Sequence, residues 1–399
     1  MHLLYKILLL MGMLFGPSWA VDNGPPVANM GIWEIDAACN SNMPYIQEGF
    51  DVALEMATAA YNAMEFLLKP QPDKKENPKD HLRWLIIHRA MEVTLGIIAK
   101  SNGNEKSVSW IDAQTVFSNI KKTLVAKQNS PSRGYNRQLI TSDQTKPRLV
   151  CGVVTEGDNA NFQWIDLDQP VPGQKDNSPL KSYHLAKKNM ELGAVGGWFH
   201  YDRMMFKKVK REKNFLCGPG VSGQTSFLYD MIVICDYALR PKAKERISPK
   251  TYKEIETMTK KKKMRVGDMI KVGTETRVGT DLAQVARHLS VTVLHELTHW
   301  YGQPRRGADK KFELHFFNID DRLAVGPDGR FLYEHRDPTK YDYHRSETQL
   351  TAKEMENEKV DPVKSYGRKH IWNLAKVNTN YRRMAHLNAD SLAYFALMV

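Results

Sequence analysis

The first part of the chain is patterned for helices. Within 43–69, apolar residues recur at three- and four-residue steps, which is the period of an amphipathic helix. The residues at these steps are Ile46, Phe50, Ala53, Leu54, Ala57, Ala60, Tyr61 and Met64. After the polar segment "KPQPDKKENPKD", a second helical pattern covers 82–100. A third helix is expected over "AQTVFSNIKKTLVAK", with Asp112 as its N-terminal cap.

The pattern changes in the middle of the chain. Two short β-rich segments, "RLVCGVV" at 148–154 and "DMIVICDYAL" at 230–239, are bounded by turn residues, as strands are. Thr280 and Asp281 then begin a long predicted helix that Gly302 and Pro304 end. The segment from Tyr366 onward has helical patterning again.

These elements predict an α+β fold that is mostly helical, with a small sheet beside the long helix. We divide the chain into an entry segment at 21–42, an N-terminal helical lobe at 43–145 and a second lobe at 146–399. The two lobes are expected to form one continuous unit. The 42% hydrophobic content of the 399 residues is sufficient for a packed core.

Residues 1–20 resemble a secretory signal peptide. Lys6 precedes an apolar run from Ile7 to Phe15, and small residues at Ser18 and Ala20 follow. The apolar run is too short to span a bilayer of roughly 30 Å, and no later segment has eighteen uninterrupted apolar residues. We therefore expect a secreted, extracellular protein without membrane insertion.

Secretion bears on the four cysteines, Cys39, Cys151, Cys217 and Cys235. An even number in an oxidising compartment predicts two disulfide bonds, for which three pairings exist. We favour the pair Cys217–Cys235, because it flanks one compact turn. No C-x-x-C spacing occurs, so a thiolate zinc site is not expected.

The net charge of +12 is concentrated in two basic runs, "KKVKREK" at 207–213 and "KKKKMR" at 260–265. Such runs can bind nucleic acid. Here they lack interleaved aromatic residues and follow a signal peptide, so solvated loops are the better interpretation. We expect no nucleic-acid partner.

The segment "VTVLHELTHWYG", 291–302, carries the candidate chemistry. Residues i and i+4 share one helix face, so His295 and His299 can direct both imidazoles at one metal ion. Glu296 would lie near that metal without being obliged to bind it, where a base for a metal-bound water is needed. The uncharged neighbours of the motif fit a buried helix. The pattern predicts a Zn²⁺ site.

A catalytic zinc normally has three protein ligands and one water. In the metzincin pattern the third ligand is a histidine, but Arg305 occupies that position here. A guanidinium stays protonated and cannot bind the metal. The metzincin class is therefore excluded.

The C-terminal part resembles a different family. "DPVKSYGRKHIWNLAK" and "NADSLAYFA" are similar to the end of the aspzincins, secreted fungal metalloendopeptidases of the deuterolysin and lysine-specific type. Their H-E-x-x-H helix is followed by G-T-x-D-x-x-Y-G, with an aspartate ligand and a tyrosine that stabilises the transition state. The residues that match are His295, Glu296, His299, Tyr366, Gly367, Asn388, Ala389, Asp390, Tyr394, Phe395 and Ala396.

The resemblance implies a zincin-like fold with Tyr366 in the catalytic role of that tyrosine. Asp361, the nearest aspartate before it, is our expected third ligand, with Asp342, His344 and Glu347 as reserves. An insertion containing "GPDGRFLYEHRDP" would lie between His299 and this ligand. Asp390 either binds substrate, as in lysine-specific members, or caps the last helix.

The resulting hypothesis is a zinc metalloendopeptidase that hydrolyses protein or peptide substrates. Glu296 would act as general base. The alternative is an exported protein of the same fold that binds zinc or a surface without cleaving a substrate.

Overall fold

The computed structural model describes residues 28–125, 147–157, 160–172, 177–200, 203–207, 216–226, 231–244, 246, 248–249, 285–302, 319–377 and 385–399. Several sequence predictions fall outside these residues. They concern the signal peptide, most of the first basic run and all of the second, Thr280, Asp281, Pro304 and Arg305.

The described helices are distributed over the whole chain. Three long ones come first, short ones follow in the middle, and the remainder lie in the C-terminal part. In chain order they are α1 (Met43–Leu67), α2 (Pro78–Leu95), α3 (Val108–Val125), α4 (His184–Glu191), α5 (Asp236–Leu239), α6 (Pro241–Lys244), α7 (Leu289–Tyr301), α8 (Ala352–Glu358), α9 (Gly367–Lys376) and α10 (Ala389–Met398). None of these helices is long and apolar enough to cross a membrane.

The described strands form three small sheets. In chain order they are β1 (Ala28–Met30), β2 (Trp33–Ile35), β3 (Arg148–Cys151), β4 (Gln163–Asp166), β5 (Gly196–His200), β6 (Arg203–Lys207), β7 (Gly223–Ser226), β8 (Met231–Ile234), β9 (Phe331–His335), β10 (Tyr343–Ser346) and β11 (Val360–Pro362). The central sheet has the order β1-β2-β3-β8-β7, with β3 parallel to both β2 and β8. The other sheets, β4-β5-β6 and β10-β9-β11, are antiparallel. The expected α+β class is confirmed.

The three predicted N-terminal helices are present, with shifted ends. Helix α3 begins at Val108, four residues before the predicted cap Asp112. Asp112 is buried inside the helix and lies 3.7 Å from His386, so it does not cap the helix. The segment 148–154 is a strand only as far as Cys151, and the apolar run at 230–239 divides into β8 and the short helix α5.

The largest core joins both predicted lobes. It includes buried residues of α1, α2 and α3 together with those of α7, α10 and the central sheet. Gly49 of α1 allows the closest approach, because a Cβ there would lie 3.2 Å from the Leu289 side chain and 3.5 Å from Val293. Full burial of one side chain such as Leu289 stabilises the fold by about 1.5–3 kcal/mol. Helix α7 is therefore held from several sides.

Two disulfide bonds connect this framework. Cys217 pairs with Cys235, which confirms the favoured pairing, and Cys39 pairs with Cys151. The second bond joins the short helical turn after β2 to the end of β3, so it fixes one end of the central sheet.

Helix α7 is shorter than predicted at its N-terminal end. It begins at Leu289, after His288, whose extended backbone (φ −65°, ψ 150°) interrupts the helical path. The Nδ1 atom of His288 accepts a hydrogen bond from the backbone N–H of Ser290 at 3.2 Å, so an imidazole caps this helix. At the other end, Gly302 is the C-cap, as predicted.

The sheet β10-β9-β11 and helix α8 form a unit that lies between Ile319 and α9 in the sequence. Its own small core includes Val325, Phe331, Tyr333 and Val360, packed against Leu374 of α9. The helical tail predicted from Tyr366 onward is present as α9 and α10. These two helices carry the second side of the candidate site.

Candidate metal centre

His295 and His299 lie one turn apart on α7, as their spacing requires. Their ring centroids are 4.8 Å apart and their Nε2 atoms are separated by 3.2 Å. Both side chains are 12% exposed, so the pair lies at the edge of the core with limited access to solvent. The apolar residues around them on the helix, including Leu294, Leu297 and Trp300, are buried. The buried side chains therefore hold the helix in the core, and the two imidazole rings lie at its partly exposed edge.

A carboxylate from a distant segment completes the cluster. Oδ1 of Asp321 lies 3.3 Å from Nε2 of His295 and 3.2 Å from Nε2 of His299. The segment is anchored by Asp320, which makes a parallel β-bridge with Asn388, the residue immediately before α10. Within the described residues, the cluster that could hold a metal ion comprises His295, His299 and Asp321.

The other ring nitrogens fix the tautomers. Nδ1 of His299 lies 3.0 Å from the carbonyl oxygen of Ile319, which can only accept, so Nδ1 carries the proton. Nδ1 of His295 lies 3.3 Å from Oδ1 of Asp390, again an acceptor. In the neutral rings, both Nε2 atoms therefore present a lone pair toward Asp321. Outer partners of this kind orient the imidazoles of metal sites in the same way.

The three ligand atoms have the separations that a metal needs. Zinc–ligand bonds of about 2.0–2.1 Å at tetrahedral angles place neighbouring donor atoms about 3.3–3.4 Å apart. The three donor atoms form a triangle with edges of 3.2, 3.2 and 3.3 Å, which agree with this value. Oδ1 of Asp321 is buried, and neither nearby ring nitrogen is aligned to give it a hydrogen bond. When both rings are neutral with their protons on Nδ1, three acceptor atoms converge on one point, an arrangement that favours a bound cation.

The electrostatics of the three side chains also favour a bound cation. Burial alone lowers the pKa of His295, but its contacts with Asp321 and Asp390 prevail and raise it well above its ordinary value. The same balance of burial and Asp321 raises the pKa of His299. Burial opposes the charge of Asp321, yet the two histidines hold its pKa far below its usual range. The pocket therefore stabilises positive charge next to an ionised carboxylate.

Glu296 lies beside this cluster and is buried, with 4% of its surface exposed. Its Oε2 atom is 2.8 Å from the hydroxyl of Thr225 on β7, and that hydroxyl is also 2.9 Å from the Glu296 carbonyl oxygen. Gly223 lets the strand approach, because a Cβ there would lie 3.0 Å from Oε1 of Glu296. The strand therefore fixes the carboxylate next to the histidines, whose pKa values its charge raises.

Tyr366 also reaches the cluster. Its hydroxyl donates a 2.7 Å hydrogen bond to Oδ2 of Asp321, the oxygen that does not face the histidines. Its ring centroid is 6.0 Å from that of His295, and the side chain is half exposed. Burial and the charge of Asp321 raise the pKa of this phenol, so it stays protonated and can donate.

Asp390 has both carboxylate oxygens engaged. Oδ1 faces Nδ1 of His295, and Oδ2 accepts a 2.7 Å hydrogen bond from the backbone N–H of Gly367. Gly367 is the first residue of α9, so Asp390 interacts with the N-terminus of that helix although it lies in the first turn of α10. Its carboxylate thus contacts both a ring of the cluster and the start of α9. The expected role of Asp390 in substrate binding stays a prediction.

The structure does not bring Asp361 to the two histidines. Asp361 lies on β11, paired in register with Glu334 of β9, and its half-exposed carboxylate forms an ion pair with Arg336 at 3.2 Å. The pairing of β11 with β9 fixes the position of Asp361 in that sheet. The aspartate that lies at the two histidines is Asp321. That the segment containing "GPDGRFLYEHRDP" is an insertion stays a prediction. Residues 322–365, called the inserted unit below, follow the aspartate of the cluster in the chain instead of preceding it.

The reserve ligands belong to the same inserted unit. His344 lies on β10, where its ring contacts Tyr333 and His335. Glu347 forms an exposed ion pair with Arg330. Neither His344 nor Glu347 belongs to the cluster, and nor does Asp342.

The sequence interpretation missed Asp321 and Thr225. Asp321 follows another aspartate in an unpatterned segment, and the search for an aspartate close before Tyr366 led away from it. Thr225 lies in a short strand, "GQTS", in which three of the four residues have polar side chains, so it has little strand signal. Only the three-dimensional pairing of β7 with β8 places Thr225 beside α7.

Comparison with known proteins adds no relative. No protein family, no curated protein and no solved structure matches this chain.

Proposed function

We propose that this protein is a secreted zinc-dependent endopeptidase of the zincin type, with His295, His299 and Asp321 as the metal ligands. The observation that carries the proposal is the triangle of acceptor atoms with edges of 3.2–3.3 Å. Two imidazoles and one carboxylate are a donor set that catalytic zinc uses. The two disulfide bonds support secretion, because such bonds persist in oxidising compartments.

The same donor set also suits non-haem iron. Glu296 favours hydrolysis, because a buried carboxylate next to the ligands serves to accept a proton from water. An oxygenase has no need of a base at this place. The hydroxyl of Thr225 holds the Glu296 carboxylate in position without neutralising it. We therefore propose metal-assisted hydrolysis as the reaction class.

Each side chain has a defined task in this proposal. When held by His295, His299 and Asp321, zinc would supply a Lewis acid that lowers the pKa of water and polarises a substrate carbonyl. Glu296 accepts the proton of the attacking water and later returns it to the leaving amine. Tyr366, protonated and half exposed, donates a hydrogen bond to the oxygen on which negative charge develops. This requires its hydroxyl to leave Oδ2 of Asp321 or to be shared with it.

A peptide is the substrate class that the surroundings favour. β7 is the last strand in the order of the central sheet, and its one described partner is β8. An extended peptide can add to such an edge through main-chain hydrogen bonds. Because Thr225 of β7 contacts Glu296, a peptide on this edge would lie next to the base.

The test is Glu296→Gln, assayed on a denatured protein substrate. We expect the variant to keep stoichiometric zinc and to lose about 10²–10⁴-fold in turnover, since an amide cannot accept the proton. Glu347→Gln is the control, because that glutamate is exposed and forms an ion pair away from the cluster.

Two results would count against the proposal. Near-parental turnover of Glu296→Gln would remove this residue from the mechanism. A parent protein that binds one zinc at His295 and His299 but cleaves no substrate would support the alternative, a zinc-binding protein without catalysis.

A further inference from the structure

Asn388 is a fully buried amide whose side chain joins three segments. Its Oδ1 accepts a 3.0 Å hydrogen bond from the backbone N–H of Arg322. Its Nδ2 donates to the carbonyl oxygen of Ser365 at 3.2 Å and to the hydroxyl of Ser391 at 3.0 Å. The amide oxygen thus binds the segment of Arg322, and the two N–H groups bind the segments of Ser365 and Ser391.

One of these segments adjoins Asp321 of the cluster, and another adjoins Tyr366, which is hydrogen-bonded to it. Arg322 directly follows Asp321, and Ser365 directly precedes Tyr366. The residues between them, 322–365, form the inserted unit with its sheet β10-β9-β11. The Asn388 side chain therefore binds the first and last residues of this unit. The two ends also meet directly, since the N–H of Ser365 donates to the carbonyl oxygen of Arg322 at 2.7 Å.

The third segment completes the arrangement. Two residues after Asn388, the carboxylate of Asp390 contacts His295 and the N–H of Gly367. Residues 388–390 therefore make three kinds of contact. Asn388 binds the backbone next to Asp321 and next to Tyr366, and Asp390 contacts the ring of His295. Two of these groups, Asp321 and His295, belong to the cluster, and Tyr366 is hydrogen-bonded to it.

We propose that Asn388 is a positioning residue that sets the distance between Asp321, Tyr366 and the histidine pair. The inference rests on the metal site of the proposed function and deepens it. An amide is needed because one side chain must accept from Arg322 and donate to Ser365 at the same time. Aspartate has the same shape and retains the acceptor, but it has no donor and would direct a carboxylate oxygen at the carbonyl of Ser365.

The experiment compares Asn388→Asp and Asn388→Ala with the control Asn373→Asp. Asn373 also donates from Nδ2 to a backbone carbonyl of the inserted unit, that of Val325 at 3.2 Å, but Val325 is adjacent in sequence to neither Asp321 nor Tyr366. Zn²⁺ affinity is measured by competition with a chromophoric chelator, and the geometry of the site by the visible absorption spectrum of the Co²⁺-substituted protein. Thermal unfolding in excess chelator reports the stability of the metal-free fold.

Loss of an outer partner typically weakens metal affinity by about 10–100-fold. We expect this loss and an altered Co²⁺ spectrum in both Asn388 variants, with a metal-free fold that stays intact. Asn373→Asp should keep the parental affinity and spectrum, even if its metal-free fold is less stable.

Three results would overturn the inference. The first is parental affinity and spectrum in either folded Asn388 variant, and the second is an equal loss in Asn373→Asp. The third is unfolding of both Asn388 variants in chelator where the parent stays folded, because Asn388 would then serve the fold as a whole. Failure of the metal site on which the proposed function rests looks different. In that case His295→Ala would bind zinc as tightly as the parent, whatever the Asn388 variants do.

Discussion

Asp321 and Asp361 give the sharpest test of the metal centre, because only the first reaches the histidines. The perturbation is the pair of single substitutions Asp321→Ala and Asp361→Ala. The two substitutions are chemically identical, since each removes one aspartate carboxylate. In the folded protein, the Asp321 carboxylate lies 3.2 and 3.3 Å from the two Nε2 atoms, whereas Asp361 forms an ion pair with Arg336 at 3.2 Å.

The structure predicts very different losses of zinc affinity for the two variants. Asp321→Ala leaves two imidazoles where three ligands converged, so its effect must exceed the 10–100-fold loss that outer partners cause. We expect at least about a 100-fold loss in zinc affinity, which corresponds to about 2.7 kcal/mol. The Asp361 side chain is 52% exposed, and a surface ion pair of this kind contributes about 0–1 kcal/mol to stability. Asp361→Ala should therefore change zinc affinity less than about twofold.

The assay is competition between the protein and a chromophoric chelator, with zinc content checked by elemental analysis after dialysis. Circular dichroism of each variant in chelator shows that the fold is retained. Parental affinity in Asp321→Ala would refute the ligand assignment. A loss confined to Asp361→Ala would mean that β11 rearranges on binding, and that the cluster of the described fold is not the site.

Two further predictions concern groups around the ligands. Tyr366→Phe removes the donor to Oδ2 of Asp321, so at saturating zinc we expect turnover to fall by about 10²–10³-fold. Zinc affinity should fall less than in Asp321→Ala, and an unchanged rate would remove the tyrosine from the mechanism. His288 caps α7 only while Nδ1 is neutral. Burial lowers its pKa, with Glu48 opposing and Arg246 assisting. The cap is therefore fully present above the unfolded pKa near 6.5 and is lost as the pH falls through the lower folded value. Asparagine caps a helix at every pH, so His288→Asn serves as the reference. In urea unfolding without metal, the free energy of unfolding of the parent should fall in acid by about 1 kcal/mol relative to this variant. Identical pH profiles of the two proteins would contradict this.

The sequence predicted the helices better than their ends. The period of apolar residues in α1 reflects one buried face, so its existence and length follow from the pattern. The start of α7 could not be read in this way, because an imidazole at 288 caps the helix through a backbone contact. Asp112 shows the opposite error, since a residue type that favours caps lies buried within α3. Local propensity suggests such ends, but tertiary contacts fix them.

The site was predictable where one helix supplies it. His295, Glu296 and His299 follow from spacing alone, because the helix geometry fixes their common face. The ligand from another segment could not be predicted by spacing. Its position depends on the bridge between Asp320 and Asn388, a contact between residues far apart in the sequence. Tyr366 was identified through the resemblance of the tail, and the structure brings it to Asp321.

The inserted unit explains why the sequence misplaced the aspartate. Its two ends are hydrogen-bonded to each other, with Ser365 N–H to the Arg322 carbonyl oxygen and a bridge between Leu323 and Lys364. A unit closed in this way can have any length without separating the residues that flank it. Asp321 and Tyr366 are therefore 45 positions apart in the chain and still share a 2.7 Å hydrogen bond. The contact, and not the spacing, is the property that a search for related sites should require.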